Sequence, residues 1–278
     1  MRKTKMVKII TDSSSNITVE EAEKLGITLM PLTINFGTKE YLDGVEITCD
    51  EFYKKLTEGS EFPHTSQLTE EQVEKAVSEN LADGDEVLLM PLASVLSGSY
   101  ERCKLVAERH ENVTAYDTKC TTVMLKLCVL EALKMAQNGA TAAEICAALD
   151  ELRPKLKLYA CLNTLENLRK GGRLSSVSAI IGSVLNIKPV ITFSNDGKVE
   201  MASKQFGMHK AINYIASVVD KNKIDFTKPV YLIYTYNDKN CDVLLSKLGV
   251  ECTEKSNICP VIGTHIGVDA AGIVFAEK

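Results

Sequence analysis

Four times along the chain a threonine stands three residues ahead of a glutamate or glutamine: Thr18 with Glu21, Thr48 with Glu51, Thr69 with Gln72, and Thr141 with Glu144. In such a capping box each side chain satisfies a backbone N–H that a helix start leaves open, so each pair marks a helix N-terminus. Short apolar runs of strand length lie between them: Val7 to Ile10, Ile27 to Phe36, Glu86 to Leu92 and Val113 to Tyr116. Strand followed by helix, repeated, predicts an N-terminal α/β domain with a mostly parallel sheet over residues 1–158. Gly37 to Gly44 and Phe62 to Gln67 read as loops, and Asp83-Gly84-Asp85 as a turn. Thr121 to Asn138 is a long, very apolar helix closed by Gly139.

The second half reads differently. Lys157 to Leu162 is a strand, and Lys188 to Phe193, Ser194-Asn195-Asp196-Gly197 and Lys198 to Ala202 make a hairpin. Helices are expected near Met208 to Val219 and Lys239 to Leu248, with strands at Val230 to Tyr234, Val250 to Thr253, Val261 to Gly263 and Gly272 to Phe275. The expectation is a C-terminal α/β domain over 159–278 with a mixed or antiparallel sheet. No proline-rich or glycine-serine linker separates the halves, which suggests tightly apposed, interleaved domains with a ligand between them.

Composition removes several function classes. At 278 residues and 45% hydrophobic content the chain supports a sizeable core without staples. The 32 basic against 37 acidic residues leave a net charge of −5, unlike a nonspecific nucleic-acid binder. Nine cysteines with no Cys-x-x-Cys pair fit neither a disulfide framework nor a zinc ribbon. The four histidines have no metal-ligand spacing, so no metal or other cofactor is expected. The run from Val7 to Thr11 is too short for a signal-peptide core, and no segment is apolar for long enough to span a bilayer; the expected location is the cytoplasm.

Two groups of residues invite a chemical reading. The first is the loop Arg169-Lys170-Gly171-Gly172-Arg173, followed by an apolar run from Leu174 to Leu185. Adjacent glycines with three cations make an anion cradle, but the same residues also make a helix C-cap, and spacing alone favours the cap. The second comprises polar clusters at Asp12 to Ser15, Thr65 to Gln67 and Ser97 to Ser99. Singly, such hydroxyls are usually N-caps; together, beyond strand ends, they line the crevice where α/β sheets bind ligands. Ser97, Asp117 and His265 stand in the chain order of an α/β-hydrolase triad acting on acyl esters, yet Ser97 lacks the first glycine of a Gly-x-Ser-x-Gly elbow. No phosphate-binding glycine motif is present.

Taken in order, Ile9-Ile10-Thr11-Asp12-Ser13-Ser14, Thr65-Ser66-Gln67, Leu96-Ser97-Gly98-Ser99-Tyr100, Leu165 to Pro189 with Lys170-Gly171-Gly172-Arg173, and Gly263-Thr264-His265-Ile266-Gly267 resemble the DegV-like fatty-acid-binding proteins nearly end to end. That family includes the acyl-binding subunits of bacterial fatty acid kinase systems. The resemblance implies a two-domain α/β carrier that catalyses nothing itself. It would bury a long-chain fatty acid such as palmitate or oleate in a tunnel and present the carboxylate to a separate kinase, with at most transient membrane contact and no nucleic acid. It assigns the carboxylate to Thr65, Ser97 and His265. Ser66, Gly98, Gly172 and Arg173 would be secondary, with Arg173 and Lys170 at the mouth and Leu174 to Leu185 as tunnel wall. An acyl-sensing module without a kinase differs only in its partner. Two departures stand out: Val268-Asp269 replaces a usual Pro-Gly, which brings a negative charge near the carboxylate site, and Leu68 stands where proline is common.

Overall fold

The computed structural model describes residues 6–81, 85–174 and 186–278. The chain runs through β1 (Val7–Asp12), α1 (Val19–Leu25), β2 (Thr28–Met30), β3 (Thr33–Phe36), β4 (Lys39–Leu42), α2 (Cys49–Glu58), β5 (His64–Ser66), α3 (Glu70–Asn80), β6 (Glu86–Met90), α4 (Ser99–Ala107), β7 (Val113–Ala115), α5 (Thr122–Gln137) and α6 (Ala142–Leu152). It continues through β8 (Leu156–Cys161), α7 (Glu166–Lys170), β9 (Ile187–Phe193), β10 (Val199–Phe206), α8 (Met208–Val218), β11 (Tyr231–Tyr234), α9 (Lys239–Leu248), β12 (Glu254–Asn257), α10 (Pro260–Ile266) and β13 (Ala271–Ala276).

All four capping boxes form, at the starts of α1, α2, α3 and α6. The helices cross over between parallel strands, and the first sheet, ordered β2-β1-β6-β7, is parallel throughout. Ile10 and Val87 to Met90 are fully buried, as expected for strands covered by helices on both faces. The second sheet is mixed, ordered β10-β9-β8-β13-β11-β12, with only β11 and β12 parallel. The expected boundary between residues 158 and 159 falls inside β8, whose six residues all pair with β13. The hairpin forms as β9 and β10, with a bulge between Met201 and Ser203.

Several local expectations fail, each for a physical reason. Ile27 to Phe36 is two strands, because Pro31, with no N–H to donate, separates β2 from β3. The supposed loops at Gly37 to Gly44 and Phe62 to Gln67 contain β4 and β5, which flank β3 in a small antiparallel sheet. Strands so short and polar carry no legible alternation. Val250 to Thr253 is not a strand; the pairing segment is the more polar Glu254 to Asn257, at the sheet edge. Val261 to Gly263 lies in helix α10, opened by Pro260. The turn at Asp83-Gly84 and the apolar run beyond Leu174 lie outside the described residues.

The two larger sheets are joined by buried polar groups. Asn16, in the left-handed region at φ 61°, donates from Nδ2 to Ser256 Oγ (2.8 Å) and Asn257 O (3.0 Å) and accepts the Cys259 N–H at 2.7 Å. Tyr53 donates to Ile258 O at 2.9 Å. Lys126, buried in α5, pairs with Glu21 at 2.8 Å and Glu254 at 3.6 Å. At the end of β1, Asp12 accepts the Leu92 N–H and both the N–H and O–H of Ser14. Asp43 accepts the Ser13 hydroxyl, which itself accepts the Leu32 N–H.

Burial pushes Asp12 up to about 6 and Asp43, which also faces Asp12, up to about 7. Both carboxyls therefore hold protons in the folded state that the unfolded chain releases near pH 4. Their contribution to stability is full below that pH and is lost as pH rises through 6 to 7. An Asp43→Asn variant is expected to gain in melting temperature relative to the parent from pH 5 to pH 8. Parallel melting curves for the two proteins across that range would refute the assignment.

Candidate functional site

A cavity lies among the three sheets. Leu158, Ala160, Ile191, Phe193 and Ile233 supply wall from the mixed sheet, Leu92 and Leu96 from the segment after β6, and Val261, Ile262 and Ile266 from α10. Its wall is mostly apolar with a few convergent polar groups, the composition of a small-molecule site. Thr65, Ser97, His265, Ser66 and Arg173 all face it, so the fold gathers five of the seven residues singled out in the sequence.

Thr65 comes from β5, held against β3. His265 comes from the last turn of α10. Their side chains meet at 3.0 Å, Oγ1 to Nε2. The His265 Nδ1 is buried with no partner among the described residues, directly beneath Gly171. Burial, then the Arg173 guanidinium and His64, push the imidazole down to about 4, so it is neutral at pH 7. With no acceptor at Nδ1, the tautomer that avoids a stranded N–H carries its proton on Nε2 and donates to Thr65. The Thr65 hydroxyl hydrogen is then free.

Ser97 follows the same logic. Its Oγ accepts the Ser99 N–H at 3.2 Å and lies 3.0 Å from Ser99 Oγ, and Ser99 Oγ accepts the Leu68 N–H at 3.2 Å. If Ser99 donates its hydroxyl hydrogen to Ser97, the Ser97 hydroxyl hydrogen is left without an acceptor. Leu68 supplies an N–H at the position where the resemblance expects proline, and a proline there would remove that donor. Ser99, fully buried, was legible only as one hydroxyl in a cluster; its role in orienting Ser97 comes from tertiary contact.

The basic loop resolves as a helix end. α7 closes on Gly171, and Gly172 takes φ +72°, the left-handed conformation of a C-cap. Gly172 itself is exposed. Arg169 and Lys170 pair with Glu166 on their own helix, and Lys170 also lies over the Phe62 ring. Arg173 turns into the cavity wall, where Nε donates to Leu96 O (3.2 Å) and Nη1 to Gly171 O (2.5 Å). No carboxylate pairs with it among the described residues. Gly98 lies against the end of the Gln67 side chain: a Cβ there would meet Gln67 Oε1 at 1.9 Å, and that flexible side chain would have to move aside.

The hydrolase arrangement is not made. Asp117 is engaged by Ser94 at 2.6 Å and by the Lys119 N–H, Ser97 bonds Ser99, and His265 bonds Thr65. Asp269 does not face the cavity; its carboxylate accepts from Asn237 at 2.7 Å, and at φ 62° it occupies the left-handed region that aspartate tolerates. The charge expected near the carboxylate site is thus engaged elsewhere. Among the described residues no cluster could hold a metal ion, and no helix is long and apolar enough to cross a membrane.

Comparison with known proteins gives one family. The family model described as "Uncharacterised protein, DegV family" matches residues 6–278. A DegV domain-containing protein of Caldanaerobacter subterraneus is 34% identical over 98% of this chain and 99% of its own. Among solved structures, a DegV family protein from Thermus thermophilus, described as binding fatty acid, superposes with a TM-score of 0.88 at 28% identity, covering 98% of this chain and 100% of that one. A stearic acid-binding protein from Eubacterium ventriosum gives 0.86 at 26% identity, over 98% and 99%.

A neutral, half-buried His265 makes two measurable demands. Its imidazole is expected to titrate near pH 4 by NMR rather than near the ordinary 6.5, and its contribution to stability is lost as pH falls between those values. A Cβ on Gly171 would lie 2.2 Å from Nδ1, so Gly171→Ala is expected to displace the ring, shift its resonances and lower the melting temperature. A Gly171→Ala protein with unchanged His265 signals would contradict this packing.

Proposed function

As the chain belongs to the DegV family, we propose that it is a carrier that binds a long-chain fatty acid in this cavity and presents the carboxylate to a separate fatty acid kinase. The observation that carries the reading is a pair of hydroxyls, Thr65 backed by His265 at 3.0 Å and Ser97 backed by Ser99 at 3.0 Å, facing a mostly apolar cavity that Arg173 also lines.

Burying a carboxylate without donors is prohibitive, whereas hydroxyls and a cation already held in place offset that cost. Each hydroxyl is set by a partner behind it: Thr65 by His265, Ser97 by Ser99. In this reading the neutral His265 acts through Thr65 and needs no charge of its own. Arg173 supplies the positive charge, its guanidinium oriented by the Leu96 and Gly171 carbonyls. It belongs with the clamp more than with an outer mouth.

The acyl chain supplies the driving force. About fifteen methylenes at roughly 0.8 kcal/mol each give on the order of 12 kcal/mol before ordering costs. The clamp then sets register and holds the head group where a second protein reaches it. Nothing in this scheme asks the carrier to make or break a bond.

Lipid extraction of natively purified protein followed by mass spectrometry is expected to release a long-chain fatty acid; protein that carries none and takes up neither palmitate nor oleate would sink the reading. Ser97→Ala and Thr65→Val are each expected to weaken palmitate binding roughly ten-fold, the worth of a hydrogen bond to a charged group, without loss of fold. Arg173→Ala is expected to cost at least as much. Transfer of phosphate to the bound acid by a co-purified kinase tests the partner.

A further inference from the structure

We propose that the cavity holds a second polar point, at the start of α5, that hydrogen-bonds an oxygen function carried on the acyl chain, a hydroxyl or keto group away from the head carboxylate. The inference rests on the fatty-acid reading and narrows the ligand to an oxygenated long-chain acid. Thr121 and Thr122 both line the cavity and are only 3% and 4% exposed. Both hydroxyl oxygens are buried without a hydrogen-bond partner among the described residues.

Their uncommitted state sets them apart from the chain's other capping threonines. Thr18, Thr48, Thr69 and Thr141 each spend the hydroxyl oxygen on a helix amide, whereas Thr121, also at an N-cap, spends it on none. The start of a sixteen-residue helix therefore offers hydroxyls and amide donors together, at the positive end of its dipole. Thr122 sits at φ 53°, a conformation that β-branched residues avoid.

The hydroxyls are also fixed in place. The preceding loop is tied to the end of β6 by the Ala93 N–H to Cys120 O (2.9 Å) and by the Thr118 hydroxyl to Pro91 O (2.9 Å). A buried hydroxyl without a partner is penalised, and so is a ligand hydroxyl pressed into an apolar wall. Each penalty is relieved by pairing the two. A plain alkyl chain relieves neither.

Competition binding with stearate and a positional series of hydroxystearates tests this in the parent and in Thr121→Val and Thr122→Val, both near-isosteric. In the parent, at least one hydroxy isomer is expected to bind as tightly as stearate or tighter. The valine variants are expected to weaken that isomer roughly ten-fold while moving stearate less than two-fold. Thr121→Ser, which keeps the hydroxyl, is expected to retain the preference, and melting curves check the fold of each variant. Stearate bound with every hydroxy isomer weaker overturns this inference alone. So does an equal loss of stearate and hydroxystearate in the valine variants, which would put the head carboxylate at α5. No binding of any acid by the parent overturns the fatty-acid reading itself, and this inference with it.

Discussion

The arrangement of the site depends on one left-handed asparagine. Asn16 follows β1 at φ 61° and commits both ends of its amide to the segment from Ser256 to Cys259. The Cys259 N–H it accepts is the N-cap amide of α10, so the helix start is closed by a side chain from the other sheet. That contact sets where α10 begins, and a helix of fixed pitch then sets where His265 ends up. The pairing of Thr65 with His265 follows from it. Asparagine suits the place because its short polar side chain tolerates the left-handed backbone and both donates and accepts.

The polar groups around the cavity form two short relays that end in it. His265 stands behind Thr65, and Ser99, oriented by the Leu68 N–H, stands behind Ser97. On the fatty-acid reading proposed above, such layering holds a donor in place before any ligand arrives, so little is lost in reorganisation on binding. The low basicity of His265 fits this use: a neutral imidazole donates one hydrogen bond without adding a buried charge that needs its own counter-ion. Arg173 is the cation of the constellation, held by two backbone carbonyls and paired with no carboxylate among the described residues.

Much of this was legible in the residues, unevenly. The capping boxes were reliable because both partners lie within one helical turn and need nothing from the rest of the chain. The hairpin of β9 and β10 was legible for the same reason, through its four-residue turn. By contrast, Val261-Ile262-Gly263 looks like a strand by composition and is helical because Pro260 and Asn16 together start a helix there. β4 and β5 were missed because three or four polar residues acquire extended structure only by pairing with β3. At Gly171-Gly172 spacing favoured a helix C-cap over an anion cradle, and the cap forms; that Gly171 also leaves room for the imidazole is a tertiary fact no spacing records.

By itself the sequence determined the alternating α/β plan, the helix starts, the absence of metal-ligand spacing and the set of residues worth watching, since all of these rest on local periodicity, local capping or residue type. Only the tertiary structure decided which hydroxyls remain uncommitted. Ser97, Ser99, Thr65, Thr121 and Thr122 are chemically alike as letters. They differ in what the fold places beside each one: His265 at Thr65, the Leu68 N–H at Ser99, Ser99 at Ser97, and no partner among the described residues at Thr121 and Thr122. A hydroxyl's availability is a property of what the fold places within 3 Å of it, and no local pattern records that.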